Sequence, residues 1–247
     1  KGELVNAVYG FSSILLRVIN ELKPDYIAAA FDLAAPTFRH IEYEDYKAKR
    51  PKTPDELYEQ IPRAKEVLKA FSIPILEKEG FEADDIVGTL AKKFTKNDVE
   101  TLIITGDLDT LQLVNDKIKI YTMKRGLADT IIYGEKEVEE RYGLKVEQMI
   151  DYKALRGDPS DNIPGVRGIG EKGACALLKE FGTLENLYKN INKVKSKSTV
   201  EKLKTNKQMA FFSKRLATIH KRVPIKVSLK ELDWQKNINL NKVKELF

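Results

Sequence analysis

The chain has 247 residues, of which 42% are hydrophobic and 32% are charged, enough for one sizeable core or a core with a small subdomain. Its 43 basic and 37 acidic residues give a formal net charge of +6, which modestly favours a polyanionic partner. The single cysteine excludes an internal disulfide and a thiolate metal cage. No apolar run is long enough to cross a bilayer, so we expect a cytoplasmic protein with no membrane partner.

The first half of the chain alternates helix and strand patterns. In chain order these are a helix over 5–22, a strand over 26–31, a helix from 53 to about 68, a strand over 73–76, a helix over 84–94, and strands over 100–105, 117–121 and 130–133. Thr53 can cap the second helix, with Pro54 at its first position. The alternation predicts an α/β fold with a mostly parallel sheet flanked by helices.

After about residue 135 the pattern becomes nearly all helix. Helices are predicted over 146–156, 171–181 and 199–220. Gly182 fits the C-cap of the middle one. We therefore expect an α/β core over residues 1–135 and a helical subdomain over residues 136–247, with a C-terminal segment that packs back on the core.

Three groups of acidic residues stand where strands end or helices begin, and Asp158 and Asp161 form a fourth group. Asp32 and Asp107 directly follow strands, and the carboxyl ends of parallel strands meet at the edge of a sheet where ligands bind. Crowded carboxylates raise one another's pKa values, and oxygen ligands favour Mg²⁺ or Mn²⁺. Two such ions can clamp a phosphodiester and activate water. The candidate metal ligands are Asp32, Glu82, Asp84, Asp85, Asp107, Asp109, Asp158 and Asp161.

Each acid also has a structural interpretation. Asp or Glu at a helix start caps the helix and suits its dipole, and Asp after a strand is common in turns. Asp85 in particular could simply solvate the start of its helix. The metal-site hypothesis therefore depends on the four groups taken together.

A glycine-rich segment, Gly165-Val-Arg167-Gly168-Ile-Gly170, lies between two predicted helices, and Lys172 follows it in the second helix. Glycines let backbone N–H groups approach an anion, and a helix N-terminus favours negative charge. The position between helices and the absence of a Walker lysine pattern argue against a P-loop or Rossmann turn. The segment suits holding a duplex backbone without reading its sequence; an ordinary helix–helix turn is the alternative.

Basic and aromatic residues alternate in the segment 38–56. They are Phe38, Arg39, His40, Tyr43, Tyr46, Lys47, Lys49, Arg50 and Lys52. Such a mixture suits single-stranded nucleic acid, through phosphate pairing and base stacking, with a solvated helix face as the alternative. A second basic stretch, from Lys193 to Lys207, is interpreted as a solvated face.

Five motifs resemble those of one known family, in the same order. They are Phe31-Asp32…Pro36-Thr-Phe-Arg39-His40, Tyr46-Lys-Ala-Lys-Arg50, Gly80-Phe-Glu-Ala-Asp-Asp85, Thr105-Gly-Asp-Leu-Asp109, and the run from Gly157 to Lys172. With them the chain resembles the 5′-nuclease domain at the N-terminus of bacterial DNA polymerase I, in the flap endonuclease superfamily. The resemblance implies a PIN-like 5′-nuclease core with a helix-hairpin-helix-type subdomain. It also implies a structure-specific 5′ nuclease (5′-3′ exonuclease and flap endonuclease) that uses two-metal-ion catalysis in replication and repair.

The resemblance also implies roles for individual residues. Asp32, Glu82 and Asp84 would hold a first metal ion, Asp107, Asp109, Asp158 and Asp161 would hold or orient a second, and Asp85 is a further acid. Arg39, Lys47 and Arg50 would act on the scissile phosphate from an arch near 38–56, where Tyr46 would also bind DNA. Gly165, Arg167, Gly168, Gly170 and Lys172 would hold duplex DNA, with a K⁺ ion at the turn. The implied partners are DNA with 5′ flaps, nicks or single-strand/duplex junctions and a fused or separate polymerase, for a monomer in the bacterial nucleoid.

The chain departs from the family pattern in two places. The family begins with a strand that ends in an aspartate of the first metal site, and this chain starts after that point, at Lys1-Gly2. We interpret this as an incomplete chain, either a fragment of a larger polymerase or part of a standalone nuclease. The second departure is Leu108, where a lysine is common. The alternative functions are a non-catalytic, structure-specific DNA-binding protein without a complete first metal site and a related metal-dependent ribonuclease.

Overall fold

The computed structural model describes residues 4–125, 129–238 and 240–246. The first half contains α1 (Asn6–Leu22), β1 (Ala29–Ala30), α2 (Phe38–Glu42), α3 (Asp55–Tyr58), α4 (Ile61–Ala70), β2 (Ile75–Leu76), α5 (Ala83–Thr95), β3 (Thr101–Ile104), a 3₁₀ helix (Leu108–Leu113), β4 (Ile118–Arg125) and β5 (Asp129–Tyr133). Helices and strands alternate here, which confirms the predicted α/β class.

The second half is helical in the part that the structure describes. It contains α6 (Glu135–Tyr142), a 3₁₀ turn (Val146–Gln148), α7 (Met149–Arg156), α8 (Glu171–Phe181), α9 (Leu184–Lys189), a second 3₁₀ turn (Ile191–Lys193), α10 (Lys197–Thr205), α11 (Lys207–Ala217), α12 (Leu229–Leu232), α13 (Trp234–Asn237) and α14 (Leu240–Leu246). Within the described ranges, no helix is both long and apolar enough to cross a membrane.

The strands form two small sheets. β1 pairs in parallel with β2, β3 pairs in parallel with β4, and β4 pairs antiparallel with β5. Parallel pairing thus predominates, as predicted, although the described strands do not join into one sheet. Helix α5 packs against both β1 and β3, so it connects the two sheets.

Two helices predicted as continuous are each divided. The helix after Thr53 becomes α3 and α4, and its N-cap is Pro54 rather than Thr53. Pro62 lacks the N–H that would continue α3, so a new helix starts around it. The predicted helix over 199–220 breaks at Asn206, whose amide donates to the carbonyl of Lys202 at 2.8 Å. The backbone N–H of Asn206 donates to the same carbonyl at 3.1 Å, so side chain and backbone together close the end of α10.

The largest hydrophobic cluster joins the second sheet to the helices that follow it. Ile103 and Ile120 pack with Leu155 of α7 and Leu178 of α8, and all four are buried. Burying one such side chain stabilises the fold by about 1.5–3 kcal/mol. Because both halves share this cluster, the strand ends and the loop after α7 are held in a fixed relation.

A second cluster involves the C-terminal part of the chain. Trp234 packs with Leu15, Leu68 and Phe71, and its indole N–H donates to the carbonyl of Pro24 at 3.0 Å. The only tryptophan is therefore a packing residue that ties the C-terminal segment to α1 and α4.

Candidate active site

A narrow cleft opens where α5, the first 3₁₀ helix and the loop after α7 meet. Its lining consists of Glu82, Asp84, Asp107, Asp109 and Asp161, together with Arg39, Tyr46, Lys47, Ile163, Leu216, Ala217 and Ile219. Five of the eight predicted carboxylates thus share one cleft. They meet because Glu82 is the N-cap of α5 and Asp107 is the N-cap of the 3₁₀ helix that follows β3.

Two further acids lie beside the cleft. The ammonium of Lys153, on α7, contacts Asp109 and lies 2.5 Å from Asp158 Oδ2, so Asp158 is linked to the cleft through Lys153. Asp32 is exposed, and its Oδ1 accepts the backbone N–H of Ala83 at 2.8 Å. It therefore lies against the first turn of α5, next to the cleft lining.

Asp85 does not belong to the lining of the cleft. Its side chain is 0% exposed, and its two oxygens accept from Arg39 Nη1 and Nη2, each at 2.8 Å. The same oxygens also accept the backbone N–H groups of Glu82 at 3.1 Å and His220 at 2.7 Å. This contradicts the prediction that Asp85 is a metal ligand, because four donors already occupy its oxygens.

Arg39 and Tyr46 are less accessible than predicted. Arg39 is 3% exposed at the floor of the cleft, and apart from Asp85 it donates to the carbonyls of Leu216 at 2.9 Å and Thr218 at 2.8 Å. The prediction that it contacts DNA and the scissile phosphate is corrected, because its donors are engaged inside the protein. Tyr46 is also 3% exposed, which corrects the prediction that it binds DNA directly.

The hydroxyl of Tyr46 instead joins two groups of acids. It lies 3.0 Å from Asp161 Oδ2 and 3.2 Å from Glu82 Oε2, and it can donate its single proton to only one of them at a time. The ring packs with Ile163 and Leu216. Tyr46 therefore fixes the spacing between Glu82 and Asp161.

Lys47 and Arg50 are the reachable cations at the cleft. Lys47 Nζ lies 2.9 Å from Glu82 Oε2 with 22% of its side chain exposed, and Arg50 Nη2 lies 2.5 Å from Asp161 Oδ1 with 45% exposed. Lys47 has a φ of 57°, uncommon for a residue with a side chain. Its backbone N–H donates to the Asp161 carbonyl at 2.9 Å, which helps to hold Lys47 in this conformation beside the acids.

The carboxylates perturb one another electrostatically. Burial, followed by the charges of Asp107, Glu82 and Asp109, raises the pKa of Asp84 from its ordinary value to about 7. Burial also raises the pKa of Asp109 to about 6, although Lys153 opposes it. Not all of these acids can ionise together at neutral pH without a compensating cation.

Asp158 shows the opposite behaviour. Its burial would raise its pKa, but the charge and hydrogen bond of Lys153, together with bonds from Ser160, lower it to about 2. Lys153 thus balances the acids on its side of the cleft.

The acids of the cleft offer oxygen donors of the type that a hard divalent cation prefers. Glu82 Oε1 is buried without a hydrogen-bond partner, and within the described ranges neither Asp84 nor Asp107 forms an ion pair with a basic side chain. All of these donors are oxygens, as Mg²⁺ and Mn²⁺ prefer. In the same part of the chain, however, no three acidic, histidine or cysteine side chains are grouped so as to hold a metal ion. Lys47 and Lys153 stand between the acids instead.

The glycine-rich turn and the residue Lys172 that follows it are exposed at four of the five positions predicted to hold DNA. Arg167, Gly168, Gly170 and Lys172 are exposed, whereas Gly165 is buried. The backbone N–H of Gly165 donates to Ser213 Oγ at 3.0 Å. The prediction that Gly165 binds DNA is therefore corrected.

Gly165 has a packing role that requires glycine. Its φ is +63°, and an added Cβ would lie 2.2 Å from the backbone nitrogen of Gly157. Two backbone segments therefore cross here, and only a residue without a side chain allows it.

Two lysines near these sites were not singled out from the sequence. Lys153 lies five residues before Asp158, in a last helical turn where basic residues are common, so its spacing gave only a weak signal. Lys202 lies in the basic stretch interpreted as solvated, yet its Nζ donates to the Gly168 carbonyl at 3.0 Å. Helical periodicity does not predict such a tertiary contact.

Two protein-family models match almost the whole chain. The 5′-3′ exonuclease N-terminal resolvase-like domain matches residues 1–143, and the 5′-3′ exonuclease C-terminal SAM fold matches residues 144–239. DNA polymerase I of Caldicellulosiruptor bescii is 48% identical over 236 residues, which cover 94% of this chain and 28% of the relative. DNA polymerase I of Bacillus subtilis is 46% identical over 235 residues, which cover 95% of this chain and 27% of the relative. The chain thus spans little more than a quarter of these relatives.

Solved structures show the same fold. T5 5′-exonuclease with bound divalent metal ions (zinc) has a TM-score of 0.75 at 20% identity, covering 96% of this chain and 87% of that one. The catalytic core of Rad2 in complex with a DNA substrate has a TM-score of 0.57 at 22% identity, covering 93% and 74%. The likeness confirms the predicted PIN-like α/β fold, and the second family model describes the helical second part, predicted as helix-hairpin-helix-type, as a SAM fold.

Proposed function

The chain belongs to the 5′-3′ exonuclease family, and from that premise we propose that it is a structure-specific 5′ nuclease. It acts as a 5′-3′ exonuclease and flap endonuclease that hydrolyses DNA phosphodiesters in replication and repair. The observation that carries the proposal is the acidic cleft, where Glu82 keeps a buried oxygen without a partner and Asp84 has its pKa raised to about 7. Both features favour a cleft that takes up cations.

The acids are proposed to hold two Mg²⁺ or Mn²⁺ ions. Such ions, when bound, supply activation of water and stabilisation of the leaving oxygen. The first set of ligands is Asp32, Glu82 and Asp84, and the second is Asp107, Asp109, Asp158 and Asp161. Because Lys153 contacts both Asp109 and Asp158, its ammonium would compete with a cation for these two carboxylates.

Lys47 and Arg50 are proposed to bind the scissile phosphate. Both lie at the cleft on the segment 38–56, and both keep part of the side chain exposed while pairing with acids. A phosphate can replace a carboxylate as the partner of either cation, and Arg50 can form two parallel hydrogen bonds with it. These two residues thus position the substrate and offset charge in the transition state.

The exposed part of the glycine-rich turn is proposed to hold duplex DNA, with K⁺ at the turn. Arg167, Gly168, Gly170 and Lys172 are exposed, and Lys202 adds a positive charge beside Gly168. Contacts of this kind fix a duplex in position without reading its sequence. We accordingly propose a nuclease core over residues 1–135 and a duplex-binding part over residues 136–247.

The proposed partners follow from this division. They are DNA with 5′ flaps, nicks or single-strand/duplex junctions and a fused or separate DNA polymerase, with the protein acting as a monomer in the bacterial nucleoid. The DNA polymerase I relatives support the link to a polymerase.

Replacement of Asp107 with alanine tests the assignment. Asp107 lines the cleft without a basic partner in the described ranges, so the variant should lose cleavage of a labelled 5′-flap DNA while still binding it. Asp116, an exposed acid before β4, provides the control, and Asp116→Ala should cleave normally. Undiminished cleavage by Asp107→Ala would exclude the proposed site.

A non-catalytic, structure-specific DNA-binding protein is the second candidate. It is favoured by the lysines that neutralise the acids, Lys47 beside Glu82 and Lys153 beside Asp109 and Asp158. This candidate predicts tight binding to flap DNA with no cleavage in Mg²⁺ or Mn²⁺, by either the wild type or the Asp107 variant.

A further inference from the structure

The segment at the end of α11, residues 216–223, is held by hydrogen bonds between its backbone and side chains of the core. We call this segment the strap. Its backbone polar groups pair with four side chains from α2, α5 and the first 3₁₀ helix, namely Arg39, Asp85, Thr89 and Gln112. These side chains supply the hydrogen bonds that a neighbouring strand would otherwise provide.

Arg39 and Asp85 form the centre of this arrangement. Arg39 joins both oxygens of Asp85 at 2.8 Å and donates to two strap carbonyls, those of Leu216 and Thr218. Asp85 in turn accepts the strap N–H of His220 at 2.7 Å. A buried ion pair is tolerated when further hydrogen bonds satisfy its remaining donors and acceptors, and this pair meets that condition through the strap.

Gln112 and Thr89 continue the same pattern along the strap. Gln112 donates to the Ala217 carbonyl and accepts the Ile219 N–H, both at 2.9 Å. The Thr89 hydroxyl donates to the His220 carbonyl at 3.3 Å and accepts the Val223 N–H at 3.0 Å. The strap is therefore fixed in register relative to α5.

The strap also forms a wall of the acidic cleft. Its residues Leu216, Ala217 and Ile219 line the cleft together with Glu82 and Asp84. Asp85 follows Asp84 directly in α5, and Arg39 lies in α2, at the start of the segment that carries Lys47. One ion pair thus connects the wall of the cleft, the helix that carries the acids, and the segment that carries the cations.

We propose that Arg39 and Asp85 are a positioning pair, which holds the strap, the first turn of α5 and the 38–56 segment in one geometry. Neither residue contacts the phosphate or a metal ion. The effect of the pair on cleavage rests on the proposed nuclease function, whereas its effect on the strap does not. Loss of either residue removes the same connection, so the double variant should be no more impaired than the worse single variant.

Salt dependence of DNA binding separates positioning from direct phosphate contact. The probe is a fluorescent 5′-flap DNA in EDTA, bound by the wild type, Arg39→Gln and Lys47→Gln at several salt concentrations. A plot of log affinity against log salt concentration has a negative slope. Loss of one phosphate contact makes this slope less steep by about 0.9 on duplex DNA or about 0.7 on single strands. Lys47→Gln should show this decrease and Arg39→Gln should not. An equal decrease in Arg39→Gln would overturn the proposal.

A double-mutant cycle tests whether the pair acts as a unit. Arg39→Gln, Asp85→Asn and the double variant are compared by urea unfolding in EDTA and by steady-state flap cleavage in Mg²⁺. We expect kcat to fall by about 10–100-fold in each with little change in KM, and the double variant to match the worse single one. A shared role would be refuted if the fold losses of the two single variants multiply in the double variant, both in kcat and in the equilibrium constant for unfolding.

Arg39→Lys provides a conservative control. Lysine keeps the charge but cannot bind both oxygens of Asp85 and two carbonyls in one plane, so it should not restore kcat. Restoration by lysine would instead indicate a simple charge effect on the substrate.

If the wild type cleaves no DNA at all, the nuclease proposal fails. The double-mutant cycle in urea unfolding and the salt dependence of DNA binding still decide the role of the pair.

Discussion

Replacing Asp84 with asparagine should stabilise the metal-free protein above neutral pH. Asp84 lies at the start of α5, and burial with the charges of Asp107, Glu82 and Asp109 raises its pKa to about 7. The folded protein therefore resists ionisation of this group, whereas the unfolded chain does not. Asparagine has nearly the same shape and carries no charge, so it removes the cost while keeping the packing.

The size of the effect follows from the pKa shift. The pKa rises from 3.8 to about 7, and each unit corresponds to about 1.4 kcal/mol, which gives an upper limit of about 4 kcal/mol. Because Asp84 retains partial exposure and water screens it, we expect about 2 kcal/mol. The folded pKa is above the unfolded value, so the wild type loses stability as pH rises from about 4 to 7.

Urea unfolding in EDTA at pH 5 and pH 8, followed by circular dichroism, measures this effect. The variant should gain more stability over the wild type at pH 8 than at pH 5. Asp116→Asn, at an exposed acid, should gain nothing at either pH. An Asp84→Asn variant that is no more stable at pH 8, or equally favoured at both pH values, would refute the reasoning.

Three further substitutions test other parts of the structure. Lys153→Met removes the ammonium between two carboxylates, so the metal-free protein should melt at a lower temperature than the wild type. Added Mg²⁺ should raise the melting temperature of the variant more than that of the wild type. An equal rise in both would argue against competition between Lys153 and the cation. Gly165→Ala places a Cβ 2.2 Å from a backbone nitrogen, so it should lower the free energy of unfolding in urea by more than about 2 kcal/mol. Gly170→Ala, which has nothing within 4 Å of its added Cβ, should lower it little. Lys202→Met should weaken binding to duplex DNA and make the slope of log affinity against log salt less steep by about 0.9. Lys204→Met, at an exposed position, provides the comparison. Identical slopes in the two variants would show that Lys202 does not belong to the DNA interface.

The sequence predicted the acidic cleft because its determinants are local. Asp107 follows a strand and Glu82 begins a helix, and parallel pairing brings the ends of such elements together. The caps at these two residues agree with the sequence, but β1 and β3 belong to separate sheets, and α5, which packs against both, connects them. Local patterns of strand end and helix start therefore located most of the cleft.

The burial of Arg39, Asp85 and Tyr46 could not be read from local patterns. Arg39 is buried because carbonyls from Leu216 and Thr218, more than 170 positions later in the chain, complete its hydrogen bonds. A segment rich in arginine, lysine and tyrosine is typical of nucleic-acid binding. The sequence pattern does not show which of these side chains face solvent and which face one another. Only the tertiary packing of the strap distinguishes exposed Arg50 from buried Arg39.

Cleavage of a 5′-labelled flap DNA by the wild-type chain, with Mg²⁺ and then with EDTA, tests the central claim most directly. The proposed function predicts incision near the junction in Mg²⁺ and none in EDTA, since the crowded acids of the cleft need cations to act. Tight binding to the flap junction without incision in Mg²⁺ or Mn²⁺ would contradict the claim and favour a non-catalytic DNA-binding protein.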